Sequence, residues 1–182
     1  MSREIVIGVT GGIAAFKTAA LVSELVQSGM GVTVVMTGAA RRFVGPATFR
    51  ALTGRPVATQ AFEPDDHPLG PHIELARRAA LLCVAPATAN FLAKAAHGIA
   101  DDLLSTLLLS FAGPVMLAPA MNREMWSKPA VERNVAQLRD DGYLFVGPAE
   151  GWQSCREQGL GRMAEPGEIA AAIREVLDRL PA

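Results

Sequence analysis

Short apolar runs alternate along this chain with segments whose apolar residues recur every three to four positions. "EIVIGV" (4–9), "GVTVVMT" (31–37), "ALLCVA" (80–85), "PVMLA" (114–118) and "YLFVG" (143–147) read as strands, with too few polar positions for a sheet that has one face in water. The helical period appears in "AAFKTAALVSELVQSG" (14–29), in 46–53, in "HIELARRA" (72–79), in two pieces within 88–111 hinged at Gly98, in 129–141 and in a closing segment, 167–180. Gly29 and Gly54 are expected helix stops, and a short strand is expected near "RPVATQ" (55–60). The stretches 64–71 and 148–167, rich in glycine, proline and polar residues, are expected to be loops.

Strand–helix alternation of this kind predicts an α/β fold with three layers, a mostly parallel, doubly wound sheet carrying helices on both faces. No internal repeat, low-complexity tract or long linker divides the sequence, so residues 1–182 are expected to form one domain.

In open parallel sheets, ligands bind beyond the carboxyl ends of the strands. The candidate chemistry therefore lies in "TGG" (10–12), "TGA" (37–39), "PATAN" (86–90), "PAMN" (119–122) and the loop after 147. "GVTGGIAAFK" (8–17) suits a phosphate cradle at a helix N-terminus and equally a tight strand–helix turn, and it lacks the Gly-Lys-Ser/Thr of a Walker loop. No acidic residue follows the second strand to hold a ribose diol; Thr37 and Gly38 stand there instead and suit a phosphate better. Asn122 serves either as a helix N-cap or, through its amide, as a donor to a carboxylate or thiolate. Cys155, in "GWQSCREQGLGRM", lies on a glycine-bounded loop beside Arg156; it is either a reactive thiol on a mobile lid or an incidental loop cysteine. His72 opens a helix at the loop rim, a place where a histidine is either solvated or functional. His67, His72 and His97 share no metal-ligand spacing with Cys83 or Cys155, so no metal is expected.

Composition narrows the class. The chain is 50% hydrophobic but only 19% charged, against roughly 25% in a typical soluble domain. That deficit fits a homo-oligomer and fits a plain apolar core equally well. The net charge is −1 and the 17 basic residues are scattered, which argues against nucleic acid as a partner. "LLSTLLLSFAGPVMLAPAM" is broken by serines, Gly113 and Pro114, so no membrane span is expected. The start "MSREIVIGVTGG" lacks a signal-peptide layout, and the two cysteines read as free thiols in a reducing cytoplasm.

Taken together, "GVTGGIAAFK", "HIELARRAALLCVAPATAN", "GIADDLLST", "PAMNREMW" and "CREQGLGRM" resemble the flavin-containing cysteine decarboxylases over roughly residues 4–166, in the family's order. Within that family the resemblance is strongest to the branch acting in coenzyme A biosynthesis. It implies a Rossmann-like or flavodoxin-like protomer binding FMN, assembled as a trimer or a dodecamer of trimers, with active sites shared between neighbouring subunits. Carried over by motif, Gly11, Gly12 and Ile13 would approach the flavin nucleotide and Thr37 its phosphate end. Thr88, Ala89 and Asn90 would line ring and ribitol, Ala120 and Met121 would edge the isoalloxazine, and Ser105 is a further cofactor contact. The resemblance also implies a reaction on 4′-phosphopantothenoylcysteine. The cysteine moiety is oxidised to a thioaldehyde, loses CO₂ as an enethiolate, and is reduced again to 4′-phosphopantetheine. Asn122 would grip the departing carboxylate, His72 would assist oxidation and decarboxylation, and Cys155 would donate a proton in the return step. Trp152, Ser154 and Met163 would belong to a clamp over the substrate. Two positions depart from the family pattern: Arg156 stands where a glycine commonly follows the lid cysteine, and Ala80 stands where an aspartate is usual. Two alternatives have the same fold: a peptide cysteine decarboxylase, and a regulatory flavoprotein that binds a partner without catalysis.

Overall fold

The computed structural model describes residues 4–60 and 70–180. In chain order the elements are β1 (Glu4–Val9), α1 (Ala15–Gln27), β2 (Gly31–Met36), α2 (Pro46–Thr53), α3 (Pro71–Arg78), β3 (Leu81–Ala87), α4 (Ala89–His97), α5 (Leu103–Ser110) and β4 (Val115–Pro119). They are followed by α6 (Arg123–Trp126), α7 (Pro129–Asp140), β5 (Leu144–Phe145), β6 (Ala149–Trp152), β7 (Gln158–Arg162) and α8 (Pro166–Arg179). A single 3-10 turn, Ala40–Arg42, follows β2.

The first five strands form one parallel sheet in the order β2-β1-β3-β4-β5. This is the flavodoxin-like order, whose direction reverses between β1 and β3 and opens a crevice there. The period-2 alternation of strand side chains divides the core in two. Ile5, Ile7 and Val9 point into a cluster with Leu21, Leu25, Ile169 and Ile173 of α1 and α8. Val6, Leu82 and Val84 point the other way, onto Phe91, Leu104, Leu107 and Leu138 of α4, α5 and α7. Both faces are covered, which is why these strands carry almost no polar residues.

The helix stops behave as their sequence demands. Pro46 opens α2 and Gly54 closes it at φ +67°; Gly98, at φ +65°, closes α4 and turns the chain towards α5.

Three expectations are corrected. The strand near 55–60 reduces to one bridge, Ala58 to Val35, because Pro56 has no N–H to offer a ladder. The last core strand is only Leu144–Phe145, an edge strand paired with β4 alone. The expected loop 148–167 contains an antiparallel hairpin, β6–β7, and this hairpin covers the strand tips. His67 lies outside the described residues.

Candidate active site

The tips of β1, β2, β3 and β4 and the β6–β7 hairpin enclose a cavity of about 840 Å³, within the range of small-molecule sites. Its floor is tied together by hydroxyls. Thr10 Oγ1 donates to the Pro86 carbonyl at 2.6 Å, and accepts from the Thr88 N–H at 3.2 Å. Thr88 in turn caps α4, accepting from the Phe91 N–H at 3.4 Å. After β2, Thr37 Oγ1 accepts from the Ala40 N–H at 3.2 Å and so starts the 3-10 turn. Gly11 faces that turn. A Cβ there would lie 2.4 Å from the Ala39 Cβ, so only glycine lets the two tips close on each other.

The β4 exit builds the opposite wall. The Ala120 N–H donates to the Ala87 carbonyl at 3.1 Å, and the Met121 N–H to the Gly161 carbonyl at 2.9 Å. Asn122 then caps the four-residue helix α6, its Oδ1 accepting from the Met125 N–H at 2.9 Å. The cap uses only the oxygen of the amide. The NH₂ end remains a donor on a residue that lines the cavity.

The hairpin forms the roof. Trp152, Ser154, Cys155 and Met163 all line the cavity, Met163 buried and Trp152 exposed. Cys155 is an exposed free thiol at the tip of the turn. Arg156 beside it sits at φ +66°, a left-handed conformation that glycine adopts without strain. Glycine would fit this backbone without strain, and this chain places an arginine there at a conformational cost. Cys83 is the contrasting thiol: burial inside β3 pushes its pKa up to about 12, and it stays protonated.

Charged groups line the rim in matched sets. Lys94 lies 2.6 Å from Asp101 and 2.9 Å from Asp102. Burial opposes its charge, but the two carboxylates prevail and its pKa is raised; the Lys94 hydrogen bond holds Asp101 below the ordinary carboxylate range. Glu165 joins Lys17 and Arg162 at 3.0 Å each, and its pKa is lowered chiefly by the Lys17 hydrogen bond.

Gly11, Gly12, Ile13, Thr37, Thr88, Ala89 and Asn90 thus meet Ala120, Met121 and Asn122 around one space, as the sequence predicts. Ser105 does not line it; its hydroxyl and the Asp102 carboxylate form the capping box of α5. Nor does His72, whose ring folds back over Gly70 at the start of α3. Sequence reasoning passed over Lys17, Lys94 and Arg162, whose spacing carries no motif. It also passed over Gln153, which is buried beneath the hairpin.

A sequence profile of the Flavoprotein family matches residues 1–178. The chain belongs to the Flavoprotein family. Among curated flavoprotein relatives, the coenzyme A biosynthesis bifunctional protein CoaBC of Bacillus subtilis is 48% identical over 92% of this chain and 41% of its own length. CoaBC of Mycobacterium bovis is 46% identical over 97% of this chain and 42% of its own. The chain therefore spans under half the length of these relatives. Among solved structures, the FMN-dependent cysteine decarboxylase SpaF superposes with a TM-score of 0.83 at 37% identity, covering 97% of this chain and 96% of SpaF. A cysteine-to-serine variant of PPC decarboxylase, complexed with pantothenoylaminoethenethiol, superposes with a TM-score of 0.87 at 27% identity, covering 98% of this chain and all of the other. Among the described residues of this flavoprotein, no helix is long and apolar enough to cross a membrane.

Proposed function

We propose that this chain is an FMN-dependent carbon–carbon lyase that decarboxylates 4′-phosphopantothenoylcysteine to 4′-phosphopantetheine in coenzyme A biosynthesis. It acts in the cytoplasm as a single flavin-binding domain assembled into trimers or a dodecamer of trimers. The observation that carries the reading is Asn122, which lines the cavity roofed by the Cys155 hairpin: its amide oxygen is spent on the α6 cap, and its NH₂ is a donor the cap does not use.

The residues present fit the flavin nucleotide. Gly11 closes against Ala39 with no room for a side chain, which exposes backbone at the tip of β1, where a phosphate-bearing group can approach the start of α1. Thr37 and Thr88 offer hydroxyl oxygens, while Ile13, Ala120, Met121 and Met163 supply apolar walls suited to a planar ring. When bound, FMN supplies a reversible sink for a hydride equivalent from the thiol-bearing carbon of the substrate.

The chain's own groups do the rest. The Asn122 NH₂ holds the substrate carboxylate until it departs as CO₂, when the remaining electron pair is shared with sulfur. Trp152, Ser154 and Met163 cover the substrate, and Cys155 carries the proton for the final carbon. His72 does not line the cavity of its own chain, and in the assembly it serves the cavity of a neighbouring copy.

The test is incubation of the FMN-loaded protein with phosphopantothenoylcysteine, reading CO₂ release and product mass. The wild type is expected to yield phosphopantetheine, and Cys155→Ser to release CO₂ but stop at a product two mass units lighter. Absence of CO₂ from the wild type, or failure of the protein to turn yellow with FMN, refutes the reading.

A further inference from the structure

Gln153 has one of the few buried polar side chains in the molecule, 7% exposed, at the base of the hairpin turn. Its Oε1 accepts from the Arg123 N–H at 3.1 Å and from Cys155 Sγ at 3.6 Å. Its Nε2 donates to the Gly159 carbonyl at 3.3 Å. The backbone of the same residue closes the turn: its N–H donates to the Glu157 carbonyl and its carbonyl accepts from the Arg156 N–H, both at 2.9 Å. Arg123 directly follows Asn122. One carboxamide therefore joins the first peptide of α6, the β7 strand and the thiol at the hairpin tip. Such convergence costs a buried polar group its solvation, and all of its polar atoms are matched in return.

We infer that Gln153 is the positioning residue for Cys155, holding its Sγ at the cavity. This inference rests on the decarboxylase reading. The step that needs the thiol is saturation of the unsaturated product. The C=C π bond breaks; one carbon takes the hydride equivalent, the other takes the proton from Sγ, and water returns a proton to the thiolate. A thiol turned out of the cavity leaves that step undone while CO₂ loss proceeds.

The test compares Gln153→Met, which keeps length and burial but removes the acceptor, with Gln153→Glu, which keeps an acceptor oxygen and adds charge. The first readout is the rate of Cys155 alkylation by iodoacetamide at one fixed pH in the flavin-free protein, where Cys83 is buried and unreactive. Losing the acceptor frees the thiol, so Gln153→Met should be alkylated about two- to tenfold faster than wild type. Gln153→Glu, which keeps an acceptor oxygen, should stay below Gln153→Met. The second readout is product mass: Gln153→Met should release CO₂ within about threefold of wild type and raise the unsaturated fraction at least fivefold, whereas Gln153→Glu should still form the saturated thiol. An unchanged alkylation rate in Gln153→Met overturns the inference, and so does a product mixture equal to that of wild type. Absence of CO₂ from the wild type sinks the decarboxylase reading instead, and the alkylation order then still decides whether Gln153 holds the thiol.

Discussion

Asn122 offers a clean separation of stability from chemistry, because the observed cap and the proposed carboxylate contact fall on different atoms of one side chain. Oδ1 caps α6 through the Met125 N–H at 2.9 Å, and the cap leaves the NH₂ of this cavity-lining residue unused. Asn122→Asp keeps the cap, since aspartate is as good an N-cap as asparagine. It replaces the donor with a second anionic oxygen where the substrate carboxylate belongs. The lost charge-assisted hydrogen bond is worth roughly 1.5–3 kcal/mol, and two like charges about 4 Å apart in a partly solvated site add about 4 kcal/mol. The sum corresponds to a fall in kcat/KM of about four orders of magnitude. Asn122→Ala loses only the hydrogen bond, about 10- to 150-fold in kcat/KM, but it also loses the cap, at about 1 kcal/mol. In a chain of this size that lowers Tm by about 2–4 °C. The two variants should therefore rank in opposite orders: Asp more stable and less active, Ala less stable and more active. CO₂ release and thermal melts on the same preparations decide it. An Asp variant as active as the Ala variant, or equally destabilised, refutes the division of labour.

Four further outcomes follow from the same structure. Gly11→Ala would place a Cβ 2.4 Å from that of Ala39; overpacking of about 1–3 kcal/mol should weaken FMN binding about 5- to 160-fold, and an unchanged flavin titration would contradict it. Arg156→Gly should raise Tm by about 1–4 °C, because release of a left-handed arginine, worth about 1–2 kcal/mol, exceeds the added chain entropy of glycine, about 0.5–1 kcal/mol; a fall in Tm would show that the turn is unstrained. Asp101 and Glu165 have depressed folded pKa values, so their contribution is present above the ordinary values of 3.8 and 4.5 and is lost as pH falls through the lower folded ones; Glu165→Gln should flatten the acid limb of the Tm–pH curve, and an unaltered limb would discount the Lys17 contact. Mixed and reassembled His72→Ala and Asn122→Asp subunits should regain part of the activity that neither has alone, and a mixture that stays inactive would place His72 outside any shared site.

The sheet was legible because its signal is strong in the residues themselves. Continuous apolar runs locate β1 to β4, and Pro46 and Gly54 bracket α2 to the residue. The strand tips then follow from the rule that parallel sheets bind at their carboxyl ends, which led to Gly11, Thr37, Thr88 and Asn122 before any coordinates. The hairpin was illegible for a physical reason. A Cβ at Gly159 would lie 2.8 Å from the Arg123 side chain, and one at Gly161 would lie 2.3 Å from the Met121 carbonyl. Docking face-on against α6 thus forces glycines into strand positions and erases the alternation that marks a strand. Gln153 escaped notice for a related reason: its partners are backbone groups 30 residues upstream and 6 downstream, a relation with no period. The cap reading of Asn122 holds, with Oδ1 accepting from the Met125 N–H, and it leaves the other end of the amide to the role proposed for it.

His72 lies outside the cavity of its own chain. That cavity leaves Ile13 and Phe16 54% and 60% exposed at its rim. Apolar side chains exposed at the mouth of a cavity are costly in a free monomer and useful under a ligand or at a contact between copies. The charge content of the chain, 19%, is low in the same sense, since surface withdrawn into an interface needs fewer charges. In the proposed assembly, a neighbour that covers the rim excludes water from the substrate carboxylate and brings in a histidine that does not line the cavity of its own chain. Assembly is then part of the proposed chemistry: the chain would supply the cradle, the amide and the thiol, and association of copies the wall that keeps the departing carboxylate dry.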